Sequence, residues 1–438
     1  MTTTPDSVAP AEADDLEPIT ENTFVAHAGG HDDPPPPIKG LRRLMFWIIP
    51  ANFGIFSIWG SSLFLLLPQQ ITAEFGDADK VANLAIASTI GAFAAMIAQP
   101  VAGQVSDRTR SRFGRRAPWI MIGAFAGALS LVGMAFATSF VGLVVAATLM
   151  QVCYNFAQGP LSAVMPDRVP TKRRGTFSAL TGIGTMLGAL GGSILGSMFF
   201  HNIAAGYITF AVTSVVLLGL FVVINPDYSS RDIEIEPFKF LDFLKTFWVN
   251  PIKYPDFFWA FTGRLLLYTG YFVVSGYQLF LLTDYFHVEH PETVIPVLSL
   301  INLVGIIIST VISGPLSDRF GRRKPFVFAS AAVVALGFLL PWMWQDVTAW
   351  IIMTAIAGFG FGMFQAVDTA IMSEVLPSAK SFAKDLGVVN IAATLPQTIA
   401  PAVAGIIVLT VGYAGLFPVA IILGILGAFA VWPIKSLR

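Results

Sequence analysis

Residues 103–118 read GQVSDRTRSRFGRRAP, and a shorter version of this stretch, GPLSDRFGRRKP, occurs again at residues 314–325. From Phe113 and Phe320 onward the two copies keep an offset of 207 residues, and the same offset aligns Met165 with Met372. Because one spacing holds far beyond the basic loops themselves, chance similarity is a poor explanation. The repeat predicts a chain built from two related halves.

The composition excludes an ordinary soluble protein. The chain has 438 residues, of which 55% are hydrophobic and only 12% are charged, and its mean hydropathy is +0.71. A soluble protein would carry about twice this charged fraction. The net charge of −1 argues against a nucleic-acid partner. The single cysteine, Cys153, excludes a disulfide or a thiolate metal site within one chain.

Long apolar stretches recur along the whole chain after its polar beginning. A helix that crosses a bilayer needs about 20 mainly apolar residues, and twelve stretches meet this length. The sequence therefore predicts an all-α membrane protein with twelve transmembrane helices, near residues 45–67, 81–103, 117–137, 140–164, 176–199, 205–225, 256–283, 293–315, 325–343, 348–372, 386–409 and 413–433.

The basic residues orient these spans. All but two of the 26 Lys and Arg residues fall in segments on one side of the predicted spans. The exceptions are Lys80, which lies in an outer connection, and Arg264, which lies inside the seventh span. Short cytoplasmic loops are rich in Lys and Arg, so we expect both termini in the cytoplasm. We expect the membrane to be a bacterial inner membrane.

Composition also divides the chain into segments. Residues 1–40 are acidic and Pro-rich and lack the pattern of a signal peptide, which predicts a disordered cytoplasmic tail. Residues 41–225 and 256–438 form the two predicted six-helix bundles. Residues 226–255 carry mixed charge and are predicted to be a cytoplasmic linker.

The pattern G-x-x-S-D-R followed by G-R-R closely resembles the signature loop of the major facilitator superfamily. The resemblance extends from about residue 45 to the end, and it implies two pseudo-symmetric six-helix bundles that expose one central site to each side in turn. The insert in the first copy, together with N-x-x-Q-G-P-x-x-A from Asn155 to Ala163, is similar to the sucrose transporters and the related glycoside–cation symporters. Ser162 departs from the plant sucrose transporters, which carry an Arg there that is tied to sugar and proton handling.

Paired acids and arginines mark the cytoplasmic ends of several helices. A carboxylate at such an end can pair with a loop Arg or a helix N-terminus. We interpret these pairs as a latch that closes the cytoplasmic side; the alternative is that the basic loops only set the topology. The candidate gate residues are Gly103, Asp107, Arg108, Gly114, Arg115, Asp167, Gly314, Asp318, Arg319, Gly321, Arg322 and Glu374.

In the fold that the resemblance implies, helices one, four, seven and ten line the central cavity. Amide side chains can bond sugar hydroxyls and aromatic rings can pack on sugar C–H faces, although polar residues in membrane helices also bond neighbouring helices. The candidate substrate-binding residues are Asn52, Trp59, Gln151, Asn155, Gln158, Tyr271, Gln278 and Gln365. The same helices also carry Gln69, Tyr154, Tyr268 and Tyr277.

Arg264 and Asp368 are the only charged residues well inside the predicted spans. Ionisable residues inside a membrane commonly mark ion or substrate pathways. Their similar depths would allow them to pair, with Asp368 as the candidate proton carrier. Two alternatives stay open: a static buried pair, and a role for Asp368 in the cytoplasmic latch.

The leading hypothesis is a proton-coupled symporter of a glycoside or small oligosaccharide. The alternative within the superfamily is a drug or metabolite effluxer that works as a proton antiporter, and a wide, mainly apolar cavity would favour it. A membrane enzyme gains no support from the scattered His residues and lone Cys. A nutrient sensor would need a larger signalling domain than the tail. We expect a monomer in the lipid bilayer with a small-molecule substrate, no cofactor and a proton as the coupling ion.

Overall fold

The computed structural model describes residues 40–231, 251–375 and 382–434, and within these ranges the regular elements are all helices. The predicted tail up to residue 39, the greater part of the predicted linker at 226–255, and residues 435–438 lie outside the described residues. Residues 376–381, between the tenth and eleventh predicted spans, also lie outside them.

The helices occur at the predicted places and are mostly longer than predicted. Eleven helices in the described ranges are long and apolar enough to cross a membrane. The remaining long helix, Phe382–Val411, has 30 residues, and its apolar part, Leu395–Val411, is shorter than those of the other eleven. The helices are α1 (Leu41–Phe75), α2 (Lys80–Asp107), α3 (Ala117–Ala135), α4 (Phe140–Arg168), α5 (Thr171–Ser197), α6 (Ile203–Ile224), α7 (Pro255–Ser275), α8 (Pro291–Phe320), α9 (Lys324–Met343), α10 (Val347–Glu374), α11 (Phe382–Val411) and α12 (Leu416–Ala430).

The packing of these helices repeats after six. In the first set, α1 packs on α5 and α6, α4 packs on α2 and α3, and α3 packs on α6. In the second set, α7 packs on α11 and α12, α10 packs on α8 and α9, and α9 packs on α12. The two sets meet through α2 with α11 and through α5 with α8, which is again a symmetric pair of contacts. The chain therefore folds into two pseudo-symmetric six-helix bundles.

Small residues allow α1 and α5 to approach closely. A Cβ atom added at Gly192 would lie 2.2 Å from the carbonyl oxygen of Ser57, and one added at Gly60 would lie 2.3 Å from that of Ala189. No side chain fits at such distances, so these positions require glycine. Close backbone approach at small residues is a common means of packing membrane helices, where lipid removes most of the hydrophobic driving force.

The two ends of the molecule differ. We call the end that holds the start of α1 and the α2–α3 and α8–α9 connections the basic end, and the opposite end the distal end. Near the distal end the bundles touch: the Tyr277 hydroxyl donates to the carbonyl oxygen of Val81 at 3.3 Å, and the Ser193 and Ser299 hydroxyls lie 2.9 Å apart. Tyr277 lies just past the end of α7, where the predicted seventh span is interrupted before the short helix Gln278–Phe280.

Candidate functional site: the central cavity and its charged neighbours

A cavity of about 660 Å³ lies between the two bundles. Its wall comes from α1, α2, α4 and α5 of the first bundle and mainly from α7, α8 and α10 of the second. None of the residues that line it in the described part of the chain is charged, whereas amides recur on both sides. These amides belong to Gln99, Gln151, Asn155, Gln158, Gln278, Asn302, Gln365 and Gln397.

The structure places most of the predicted substrate-binding residues in this wall, namely Trp59, Gln151, Asn155, Gln158, Tyr271, Gln278 and Gln365. Asn52 lies elsewhere. It lines a smaller pocket of about 170 Å³ between α1, α4 and α5, and its amide donates to the carbonyl oxygen of Ile48 at 2.8 Å. Asn52 therefore lies outside the main cavity, nearer the basic end of α1, in a pocket that shares Phe56, Gln158 and Thr185 with the cavity.

The other polar candidates on these helices do not line the described wall. The Tyr154 hydroxyl is buried 2.7 Å from that of Ser214 inside the first bundle, and Tyr277 lies at the distal contact between bundles. Gln69 is partly buried and does not line this cavity, whereas its neighbour Gln70 donates to the carbonyl oxygen of Met134 within the first bundle. Tyr268 lies behind the cavity wall beside Arg264.

Several cavity residues come from helices that the sequence did not select. Gln99 on α2 donates to Gln158 at a long 3.5 Å, and Asn302 on α8 donates to the hydroxyl of Tyr271 at 2.8 Å. Trp350 also lines the wall; it lies on α10, which the sequence did select, but it was not itself among the predicted residues. Gln99 and Asn302 could have been found in the sequence, because each is an amide in an otherwise apolar span and a polar group in hydrocarbon needs a partner.

A local irregularity shapes the first bundle's wall. Residues Trp59–Leu66 form a π-helical stretch within α1, and such stretches often occur at functional sites. Trp59 opens this stretch and packs edge-on against Phe56, with ring centroids 4.9 Å apart. Its indole N–H and that of Trp350 are both buried without a hydrogen-bond partner in the described residues. Each bundle therefore contributes one unsatisfied indole donor near the cavity.

Arg264 of α7 and Asp368 of α10 are neighbours inside the second bundle. Arg264 Nε lies 3.4 Å from Asp368 Oδ2, and their side chains are only 11% and 5% exposed. The sequence left their pairing open, and the structure shows that they pair. The Arg264 Nε has no hydrogen bond of good geometry in the described residues, so the contact is a loose charge pair. Neither residue lines the cavity itself.

The predicted gate residues form a compact ion network in the first bundle. Arg115 Nη2 lies 2.6 Å from Asp167 Oδ1, Arg116 Nε lies 2.8 Å from Asp167 Oδ2, and Arg116 also pairs with Asp107. Arg116, which the prediction omitted, is thus its centre. Burial lowers the pKa of Arg116, but its bonds to Asp167 and Asp107 outweigh burial and raise that pKa above its ordinary value, so the guanidinium stays charged.

These pairs connect the α2–α3 turn to α2 and α4 of one bundle, whereas the predicted latch would also close one bundle against the other. Arg108 bonds Gln104 on its own helix at 2.7 Å. Gly114 has a φ of 85°, which favours glycine in this turn.

In the second copy of the motif Gly321 has a φ of 59°, and Arg319 and Arg322 are exposed. The side chains of Asp318 and Glu374 lie outside the described residues. Cβ atoms added at Gly103 and Gly314 would meet no described atom within 4 Å. The latch between bundles stays a prediction.

Comparisons with solved structures agree with this architecture. The nucleoside transporter NupG superposes with a TM-score of 0.72 at 16% identity, covering 90% of this chain and 100% of that one. A bacterial homolog of the human lysosomal transporter Spinster, in an inward-facing and occupied conformation, superposes with a TM-score of 0.72 at 12% identity, covering 91% and 98%. At these identities the likeness shows the fold alone.

Sequence comparisons connect the chain to sugar carriers. The sucrose transport protein SUC4 of Arabidopsis thaliana is 29% identical over 184 residues, which is 37% of this chain and 35% of that protein. The arabinose-proton symporter of Bacillus subtilis (strain 168) is 36% identical over 77 residues, 18% and 16% of the two chains. The match thus spans about a third or less of these curated relatives.

The family model of the MFS/sugar transport proteins matches residues 80–418, from the start of α2 into α12. This range includes both copies of the repeated motif and nearly all of the cavity wall outside α1. The chain therefore belongs to the MFS/sugar transport protein family and is a multi-pass membrane transporter, not an enzyme.

Proposed function

We propose that this transporter is a proton-coupled symporter of a neutral glycoside or small oligosaccharide. The observation that carries the proposal is the wall of the cavity, where amides from both bundles face a space without any described charged side chain. A neutral ligand with many hydroxyl groups can satisfy such amides, whereas an ionic ligand would find no counter-charge. The named sugar carriers among the relatives support the same substrate class.

Aromatic residues add the apolar component that a sugar ring needs. Tyr271 and Phe361 stack with centroids 4.0 Å apart and an interplanar angle of 15°, and both line the cavity. Trp59 faces the same space from the first bundle. Polar rim atoms and aromatic faces together suit a ring that has hydroxyls at its edge and C–H groups on its faces.

The Arg264–Asp368 pair supports coupling to a proton. Asp368 is 5% exposed at its side chain and lies three residues after the cavity-lining Gln365 on α10. A carboxylate held inside a membrane bundle by one loose charge pair can change its protonation as the site opens and closes. We therefore assign proton binding to Asp368 and charge compensation to Arg264, with no cofactor.

Alternating access supplies the transport cycle. The bundles touch near the distal end, and one structural neighbour is described as inward-facing. We place the basic end and both termini in the cytoplasm of a bacterial inner membrane, so the present structure corresponds to the inward-facing state of a monomer. The opposite state would bring the basic ends together, with Asp107, Arg108 and Asp167 near the closing surface.

A second candidate function rests on a different observation. Much of the cavity wall is apolar, with Phe64, Leu298 and Phe338 among its residues. An apolar cavity favours extrusion of drugs or other lipophilic metabolites by proton antiport. The lack of a described charged residue in the wall argues against lipophilic cations as its substrates.

The test is proton uptake into proteoliposomes while disaccharides and glycosides, and separately lipophilic compounds, are added one at a time. The variants are Asp368→Asn and a control, Asp346→Asn, at the partly exposed N-cap of the same helix α10. A sugar that drives proton uptake in the wild type and in Asp346→Asn, but not in Asp368→Asn, supports the symport proposal. Proton movement driven only by lipophilic compounds would replace it with the efflux alternative.

A further inference from the structure

We propose that Tyr268 is a positioning residue through which the Arg264–Asp368 pair responds to an occupied cavity. This inference rests on the proposed symport function and deepens it by naming the connection between the substrate site and the proton site. The two sites need such a connection, because neither Arg264 nor Asp368 belongs to the described cavity wall.

Tyr268 contacts both sites with its polar atom. Its side chain is buried, at 7% exposure, and the Arg264 guanidinium carbon lies 5.4 Å from the centroid of its ring. Its hydroxyl lies within reach of both the Arg264 and the Gln365 side chains. Gln365 lines the cavity. A substrate hydroxyl that hydrogen-bonds to the Gln365 amide would therefore compete with the Tyr268 hydroxyl for that amide.

The ring of Tyr268 provides a second connection, through aromatic packing. It meets Phe361 edge-on at 5.2 Å, and Phe361 is in turn stacked on Tyr271. Tyr271 lines the cavity, and Asn302 holds its hydroxyl at 2.8 Å. A substrate ring packed against Tyr271 would therefore press on a continuous set of rings that ends at Arg264. Closely packed aromatic groups transmit such a displacement because they leave little free volume.

The charge pair is suited to respond to a small shift. The separation of 3.4 Å between Arg264 Nε and Asp368 Oδ2 is longer than a well-formed hydrogen bond. In a low-dielectric interior the attraction between two charges changes steeply with their distance. A displacement of Tyr268 that moves the guanidinium toward or away from Asp368 would therefore change how firmly this carboxylate holds a proton.

The experiment compares sugar exchange with proton uptake in the same proteoliposomes. Tyr268→Phe keeps the ring but removes the hydroxyl, and Tyr207→Phe is the matched control, since it removes a buried hydroxyl of the first bundle outside the cavity wall. We expect Tyr268→Phe to retain sugar counterflow within about twofold of the wild type, while protons taken up per sugar fall at least fivefold. We expect Tyr207→Phe to keep the wild-type ratio.

The outcomes separate the two levels of the proposal. An unchanged ratio of protons to sugar in Tyr268→Phe would overturn the role of Tyr268. If sugar counterflow and the thermal unfolding midpoint of Tyr268→Phe both fall, Tyr268 has only a structural role, and the proposal is overturned as well. The wild-type protein tests the proposed function before any variant is compared. If it exchanges sugar without taking up protons, or exchanges no sugar, the proposed function is refuted and this inference fails with it.

Discussion

Lys80 Nζ lies 2.7 Å from Asp284 Oδ1, and this contact joins the first bundle to the second at the distal end. The Lys80 side chain is only 8% exposed, so its charge depends on partners. The other oxygen of Asp284 accepts a hydrogen bond from the Tyr413 hydroxyl at 2.6 Å, which fixes the carboxylate in place. The basic residue that the sequence set apart on the outer side thus holds the bundles together there.

A second carboxylate at the same distance provides an internal comparison. Asp77 Oδ1 also lies 2.7 Å from Lys80 Nζ, but its side chain is 76% exposed and it belongs to the same bundle, whereas Asp284 is 24% exposed. Exposed pairs contribute about 0–1 kcal/mol. We therefore expect Asp284→Asn to open the distal end and Asp77→Asn to leave it nearly unchanged.

The opening can be measured by alkylation of Thr354→Cys, a cavity-lining position of α10 that makes no described contact between the bundles, in a chain that also carries Cys153→Ser. With reagent applied from the distal side, Asp284→Asn should raise the alkylation rate severalfold and Asp77→Asn by less than about twofold, as expected for an exposed pair. The exchange variant Lys80→Asp with Asp284→Lys should return the rate toward the wild type. Equal rates in the two single variants would contradict a closing role for the pair.

A second prediction concerns the contact of α2 with α11. A Cβ atom added at Gly405 would lie 2.5 Å from the Cβ of Ala85, so no larger residue fits while the distal end is closed. We expect Gly405→Ala to cost about 1–3 kcal/mol, the usual cost of overpacking, and to lower the thermal unfolding midpoint. The added companion change Ala85→Gly should restore most of the loss, because it removes the clashing atom.

Gly103, on α2 like Ala85, serves as the control, since a Cβ atom there would meet no described atom within 4 Å. Gly103→Ala should leave the unfolding midpoint within about 1 °C of the wild type or slightly higher, because alanine is the better helix former by up to about 1 kcal/mol. If adding Ala85→Gly does not raise the unfolding midpoint of Gly405→Ala, the loss of stability does not arise at this contact.

The sequence was sufficient for the architecture because its signals are local. Span length and basic loops follow from neighbouring residues, and the repeat at 103–118 and 314–325 follows from comparing two short stretches; the fold that they predict is the one observed. The helical face shared by Gln151, Asn155 and Gln158 is likewise a matter of spacing, and all three line the cavity.

The rest depended on the depth of each residue in the bundle and on its local packing, which spacing does not give. Asn52 and Trp59 are seven residues apart and lie on nearly the same face of α1, yet only Trp59 lines the main cavity, because Asn52 lies about 10 Å nearer the basic end. Arg115 and Arg116 are neighbours in sequence, and only the geometry at the start of α3 makes Arg116 the buried centre of the ion network.

That network yields a third prediction, for stability. The Arg116 side chain is 7% exposed and that of Asp167 is 17% exposed, whereas Asp107 is 46% exposed. Asp167→Asn would leave Arg116 with only the half-exposed Asp107 as its counter-charge, so it should cost about 2–3 kcal/mol, less than the roughly 3–5 kcal/mol of a buried charge with no partner. Asp107→Asn should cost less than about 1 kcal/mol, as exposed pairs do. Thermal unfolding in detergent compares the two, and similar midpoints would show that Asp167 does not anchor Arg116.

The last prediction concerns Asn302, which the sequence did not select. Its amide donates to the Tyr271 hydroxyl at 2.8 Å, and this bond holds the ring that stacks on Phe361. A hydrogen bond of this kind contributes about 1 kcal/mol, or roughly a fivefold change in an equilibrium constant. We therefore expect Asn302→Leu and Tyr271→Phe each to raise the KM of the transported sugar about fivefold, with a smaller effect on the maximal rate.

The double variant decides whether the two residues act together. If Asn302 acts only by holding Tyr271, the double variant should have the KM of either single variant, because the bond can be lost only once. Ser309→Ala on the same helix should leave KM unchanged, since the Ser309 hydroxyl bonds the backbone of Ile306 and lies outside the cavity wall. Multiplied effects in the double variant, about 25-fold on the same estimate, would instead mean that Asn302 and Tyr271 contact the sugar independently.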